Sequence, residues 1–183
     1  MSRAVMLSIN PKWYYWISIN NKLIELRKSR PKLQVPFKVY LYVTKVHVPA
    51  RMGWGRKACD YGGFVAGEFT CDNIMRYEFN KDYGACSVPK KLLDLGHLTI
   101  EEVMDYAKKK TLYAWHISDL KIYSKPKKLN SFYRYCVGLD DCGMCWDCEH
   151  AIGEEHDCGR DSKIFLEKPP QSWEYVDGEK QED

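Results

Sequence analysis

Asn20 to Pro31, reading NNKLIELRKSRP, decides the fold. The residues alternate from Lys22 onward, which predicts a strand rather than a helix. On a strand, Glu25 and Arg27 share one face while Ile24 and Leu26 point to the other. A turn at Asn20 or Asn21 brings Lys22 back over the polar face. Two cations and one carboxylate then converge, with Arg30 following just before a proline. Such a set suits an anionic or amide-bearing ligand. A solvated strand face with an ordinary Glu–Arg pair has the same pattern.

The segments on either side read as alternating elements. Ala4 to Ile9 is a short apolar strand, and Asn10 followed by Pro11 is a helix start. Trp13, Trp16 and Ile17 repeat at helical spacing, which predicts that they face the core. Asn20 and Asn21 then end that helix in a left-handed conformation. Pro31 to Pro36 punctuates the chain, and FKVYLYVTKV after it reads as a buried strand. The loop from His47 to Gly63 is glycine-rich and basic, but it lacks the spacing and the ending of a phosphate loop. It reads equally as a basic flap or a surface connection.

Further along, FVAGEFTCDNI (64–74) reads as one more strand, with Glu68 set among apolar residues. A carboxylate in that setting is paired, at an edge, or functional. Thr99 and Glu102 form a capping-box pair, and Ile100, Val103, Met104 and Ala107 make one apolar stripe, so 99–110 is a helix. LYAWHISDLKIYSKP returns to strand and is stopped by Pro126. His116 beside Trp115 in that segment is a ligand reader or a satisfied core histidine. PPQSWEYV gives a turn and a closing strand, and Asp177 to Asp183 reads as a frayed acidic tail.

A length of 183 residues bounds the chain to one domain, or one domain with a small accessory module. The formal charge of +3 is too small to diagnose nucleic-acid binding. Its distribution says more: Lys22, Arg27, Lys28, Arg30, Lys32 and Lys38 face the single acid Glu25 between positions 22 and 38. A local basic zone fits a phosphate-bearing partner, and it also fits plain solubility. No apolar run reaches the length of a membrane span, and MSRAVMLSIN lacks the apolar stretch and cleavage site of a signal peptide. The expectation is a cytoplasmic protein with reduced thiols.

That expectation governs the segment CVGLDDCGMCWDCEHAIGEEHDC, from Cys136 to Cys158, which has almost no aliphatic core material. Cys142, Cys145 and Cys148 overlap as two C-x-x-C pairs, and Cys136 and Cys158 complete a thiolate set, with His150 and His156 in reserve. Each pair fits one edge of a zinc tetrahedron. The many sulfurs favour a closed structural zinc over a catalytic one, stapling an insertion that lacks its own core.

Taken in order, these segments resemble the ASCH family of the PUA-like superfold, in a branch found in bacteria and their phages. The family signature G-x-K-x-x-E-x-R stands here as Asn20, Lys22, Glu25 and Arg27. Asparagine replaces the glycine and also tolerates a left-handed turn. The resemblance implies an α+β protein: a small PUA-like β-barrel with flanking helices and a zinc-stapled insertion before the last strand. Residues 1–135 would form the barrel, 136–160 the insertion, 161–176 the closing strand and 177–183 a disordered tail. It also implies binding of RNA, a nucleotide or a modified nucleoside. The expected ligand-binding residues are Lys22, Glu25, Arg27, Arg30, Trp115 and His116, with Trp115 as a stacking face.

Some family members resemble amidohydrolases on a modified nucleoside, and others cleave RNA. By that resemblance Lys22, Glu25 and Glu68 would be the catalytic set, although Glu25 stands where those amidohydrolases carry a threonine nucleophile. A third reading is an interaction protein whose zinc module meets a protein partner. If the cleft is real, the ends of Lys22, Glu25 and Arg27 meet in one concavity within reach of Glu68 or Trp115.

Overall fold

The structure, a computed structural model, describes residues 3–45, 60–79, 88–108, 110–135 and 163–180. The loop at 46–59 and the cysteine-rich span Cys136–Cys158 lie outside the described residues. Strand β1 (Ala4–Ile9) leads into helix α1 (Pro11–Ser18), whose cap Asn10 accepts a hydrogen bond from the Lys12 N–H. Asn20 ends the turn at φ 60°, the left-handed conformation expected of an asparagine there. The chain then enters β2 (Ile24–Arg27), β3 (Phe37–Val43), β4 (Phe64–Cys71) and β5 (Ile74–Tyr77). Helices α2 (Lys90–Gly96) and α3 (Ile100–Ala107) come next. Strands β6 (Leu112–His116), β7 (Ser118–Lys128), β8 (Phe132–Tyr135), β9 (Lys163–Phe165), β10 (Trp173–Val176) and β11 (Gly178–Glu179) complete the order.

These strands form three sheets, ordered β10-β1-β3-β4-β7, β2-β6-β5 and β11-β8-β9. Strands β1 and β3 are parallel and the other pairs antiparallel. Every residue of β1 is buried, because the five-stranded sheet is covered on both faces. Val5, Leu7 and Ile9 pack on one side with Tyr14, Ile17 and Trp115; Ala4 and Met6 pack on the other with Tyr42, Phe132 and Val176. A third core, holding Ile24, Leu26, Leu92, Val103 and Ala114, lies between α2, α3 and the outer face of the β2-β6-β5 sheet. No described helix is long and apolar enough to cross a membrane.

Several expectations meet a different outcome. The architecture is mixed α+β, but none of the sheets closes into a barrel. Strands β10 and β7 remain edges of the large sheet, and the gap is bridged by the chain that leaves them: β8 after β7 pairs with β11 after β10. The single strand expected over 64–74 is two, β4 and β5, which belong to different sheets with Asp72 and Asn73 between them. Pro126 lies inside β7 rather than ending it, as an edge strand permits because a missing N–H on the outer side breaks no ladder bond. The acidic end is partly structured: Asp177 accepts hydrogen bonds from Arg3 and the Tyr135 N–H, and Gly178–Glu179 pairs with β8.

The tryptophan of β6 also takes an unexpected place. Trp115 is fully buried, with ring centroids 5.9 Å from both Phe37 and Trp173, so it fills the space between the two larger sheets. It presents no face to a ligand. Trp115→Ala is expected to cost about 3–5 kcal/mol in denaturant unfolding. A loss below about 1 kcal/mol, in the range of an ordinary surface substitution, would refute the core assignment.

Candidate functional site

The opening stretch does build one site. Strand β2 is the edge of its sheet, so its Glu25 and Arg27 side chains rise beside α1 on the inner face. Lys22, just before the strand, is turned back by its N–H bond to the Trp16 carbonyl at 3.1 Å. The three side chains meet: Lys22 Nζ lies 3.4 Å from Glu25 Oε2, and Arg27 Nη2 lies 3.2 Å from Glu25 Oε1. Lys22 and Glu25 are only 2% and 4% exposed, so this is a buried charge cluster and not a solvated strand face.

Each charge has a further anchor. Lys22 Nζ donates to the Gly96 carbonyl at 2.8 Å, at the end of α2 where the helix dipole is negative. It also lies 4.9 Å from the centre of the Trp13 ring. Arg27 donates to the Ser8 carbonyl at 2.7 Å, tying β2 to β1. Glu25 is less complete. Its Oε2 is buried without a hydrogen bond, since Lys22 satisfies charge at 3.4 Å while its proton is directed to Gly96. Burial pushes the Lys22 ammonium below its ordinary value, outweighing the upward pull of Glu25.

A cavity of about 400 Å³ opens onto this cluster. Lys22, Glu25, Leu26 and Arg27 form one side, Trp13 of α1 another, and Leu98 with Glu102, Asp105 and Tyr106 of the α3 region the third. Glu102 is bonded to Lys12, which also lies 4.2 Å from the Trp13 ring centre. Burial raises the Glu102 carboxyl, but the bonds from Lys12 and the Thr99 backbone prevail and hold it below its ordinary value. Three carboxylates and two cations line the void. That balance suits hydrogen-bond donors more than a phosphate.

The other expected site residues lie elsewhere. Glu68 faces away from the cleft: it accepts from Tyr123 Oη at 2.6 Å, pairs with Lys38 at 3.3 Å and stands opposite Tyr40. Arg30 is exposed and lines a separate depression with Lys32 and Asn73. His116 bonds Asp72 through Nδ1 at 2.6 Å at the far end of β6. The structure therefore unites Lys22, Glu25 and Arg27 and leaves Arg30, Glu68, Trp115 and His116 outside.

Trp13, Glu102, Asp105 and Tyr106 are cleft residues that the sequence reading missed. Tyr14 and Ile17, rather than Trp13 and Trp16, are the buried residues of α1, while Trp16 packs on His97 at 3.9 Å. The available signal was the i, i+3, i+4 spacing of Glu102, Asp105 and Tyr106, a polar and aromatic face opposite the apolar stripe. Among the described residues no cluster of His, Cys, Asp or Glu is suited to hold a metal. The expected zinc ligands Cys136, Cys142, Cys145, Cys148 and Cys158 are outside them.

No family model and no curated protein matches this sequence. Solved structures do. The crystal structure of ASCH from Zymomonas mobilis aligns with a TM-score of 0.56 at 14% identity, over 95% of this chain and 87% of that one. The chain has the ASCH fold. Two single-substitution variants of the Zymomonas protein align similarly, each with a TM-score of 0.53 over 95% of this chain. The ASCH resemblance read from the signature and the order of segments is thus met by the tertiary structure. Identity this low carries the fold alone, so every site residue rests on the geometry above.

Burial changes what substitution at the signature does. Glu25→Ala leaves two cations without their carboxylate, and is expected to cost about 3–5 kcal/mol in denaturant unfolding. A loss under about 1 kcal/mol would mark the cluster as solvated. Lys22 adds a pH dependence. Its folded pKa lies below the unfolded one of 10.5, so between the two the unfolded chain holds more protons. Stability from this group therefore rises with pH through that window. Lys22→Met should remove the rise in a series of unfolding curves, and an unchanged slope would count against the assignment.

Proposed function

We propose that the protein binds RNA or a nucleotide, taking one nucleobase into the cleft beside Lys22, Glu25 and Arg27. The observation that carries this reading is the buried Glu25 Oε2, a carboxylate oxygen at the cavity wall with no hydrogen bond of its own. Leaving such an atom unpaired costs free energy that a ligand N–H recovers. Trp13 and Tyr106 supply aromatic walls, and about 400 Å³ suits a base with its sugar. Exposed Lys28, Arg30 and Lys32 follow the cleft in sequence and give phosphates a place outside it. The ASCH fold supports the same reading, as does the agreement of the signature with that fold.

Titration with nucleosides and short single-stranded RNA tests it. Trp13→Ala and Tyr106→Ala are each expected to weaken binding by about 1–3 kcal/mol if a base stacks there. Undiminished affinity in both variants would remove the base from this cleft. The buried anchors Lys22 and Glu25 are poor probes of binding, because their loss also destabilises the fold.

One observation favours a second reading, hydrolysis of a modified nucleoside or RNA. A lysine with a lowered pKa in a cleft is equipped for acid–base work. Glu25 would act beside it as an orienting group or nucleophile, and Glu68 takes no part from its place on the other face. Turnover would then rise with pH through the Lys22 titration and vanish in Lys22→Met. Binding without turnover across that range excludes this reading.

We also propose that the cysteine-rich span holds one structural zinc through thiolates among Cys136, Cys142, Cys145, Cys148 and Cys158. The donor set suits zinc, which prefers four thiolate or imidazole ligands. Its flanks support an insertion: Tyr135 in β8 stands opposite Lys163 in β9, so the chain leaves and returns at adjacent ladder positions. Binding energy of roughly 10–16 kcal/mol would be coupled to local order. Metal analysis is expected to give close to one zinc per chain, and chelation to loosen the insertion while the sheets stay folded. Absence of zinc, or disulfides among these cysteines in freshly reduced protein, would overturn the assignment.

A further inference from the structure

The cavity meets both faces of β2, Glu25 and Arg27 from one and Leu26 from the other. One void reaches both faces of a strand only along its free edge, and β2 is an edge strand. The ladder determines which backbone groups lie there. The Ile117 N–H donates to the Leu23 carbonyl at 2.9 Å, whereas the His116 N–H turns the other way, to Asn73 at 2.9 Å. With Glu25 opposite Trp115 and Arg27 opposite Tyr113, those two β2 residues exchange their backbone bonds with β6. Ile24 and Leu26 therefore direct their N–H and C=O groups outward. Among the described residues no strand covers that edge and no loop or helix backbone bonds to it.

The Ile24 C=O and the Leu26 N–H are thus an acceptor and a donor side by side, as a neighbouring strand would meet them. An amino group next to a ring nitrogen is their complement, and adenine and cytosine carry that pair. We propose that the free edge of β2 reads an amino-bearing nucleobase. Ile24 C=O accepts from the exocyclic amino group, Leu26 N–H donates to the ring nitrogen, and Glu25 Oε2 takes a further donor of the ligand. The carboxylate majority in the cleft favours the same choice, since it repels the carbonyl edge of uracil or hypoxanthine. This inference rests on the nucleobase reading of the cleft and specifies which bases enter.

The test titrates the ¹⁵N-labelled full chain with adenosine and inosine, and with cytidine and uridine. Each pair exchanges the amino group for a carbonyl. The amino member is expected to bind about 10- to 100-fold tighter, because the carbonyl member leaves the edge donor and acceptor mispaired. The Leu26 amide resonance should shift on binding. Equal affinities within both pairs would overturn the edge reading while keeping the base in the cleft. No response at Trp13, Tyr106 or Leu26 to any of the four would sink the cleft reading itself. Leu26→Pro removes the outward N–H without touching a ladder bond, and Leu26→Ala controls for the lost side chain. The proline variant should bind about tenfold more weakly than the alanine variant; equal affinity overturns the proposal. Should the proline variant fail to fold, the amide shift in the unmodified chain decides alone.

Discussion

A buried carboxylate between two cations holds the functional end of this molecule together. Glu25 is compensated by Lys22 and Arg27, and those cations reach outward to different elements. Lys22 ends on the Gly96 carbonyl of α2, and Arg27 on the Ser8 carbonyl of β1. One ion cluster therefore joins the small sheet to the helical layer and to the large sheet. Buried ion pairs of this kind add little net stability over apolar packing, because desolvation cancels most of the attraction. Their presence at the wall of a cavity is better understood as a cost carried for recognition than as a device for folding.

The surrounding architecture protects that arrangement without closing over it. Trp115, opposite Glu25 in the ladder, packs with Phe37 and Trp173 and keeps the inner side of the small sheet dry. Helix α3, started by its complete capping box, brings Glu102, Asp105 and Tyr106 to the cleft on one face while Val103 and Ala107 are buried on the other. Strand β2 has no partner on its outer side, so the cleft exposes main chain as well as side chains. A carboxylate-rich pocket with a strand edge differs in kind from a phosphate site. The exposed cations that follow β2 supply the positive field from outside the cavity.

Glu68 shows how far spacing alone carries. Its position in an apolar strand correctly marks it as a paired carboxylate, bonded to Tyr123 and Lys38. Burial raises its carboxyl, but those partners prevail and hold it below its ordinary value. Which face of β4 it occupies depends on register with β3, where it stands opposite Tyr40. A strand shows its alternation in sequence but not which of its two faces meets a given neighbour. His116 and Trp115 repeat the lesson: adjacent on β6, they point to opposite sides, one to Asp72 and one into the core.

The sequence by itself determined the local elements and the heart of the site. Alternation from Lys22 to Arg27 placed Glu25 and Arg27 on one face, and Asn20 supplied the left-handed turn that returns Lys22 to them. The capping box, the Asn10–Pro11 helix start and the apolar strands were legible because each depends on neighbours within a few residues. Tertiary structure alone decided the rest. Whether the sheets close, which side of α1 Trp13 faces and that α3 walls the cleft all follow from contacts between residues far apart in the chain. The burial of Lys22 belongs with them. No local pattern distinguishes it from a surface lysine, and only the carbonyl of Gly96, 74 positions away, makes the buried site tenable.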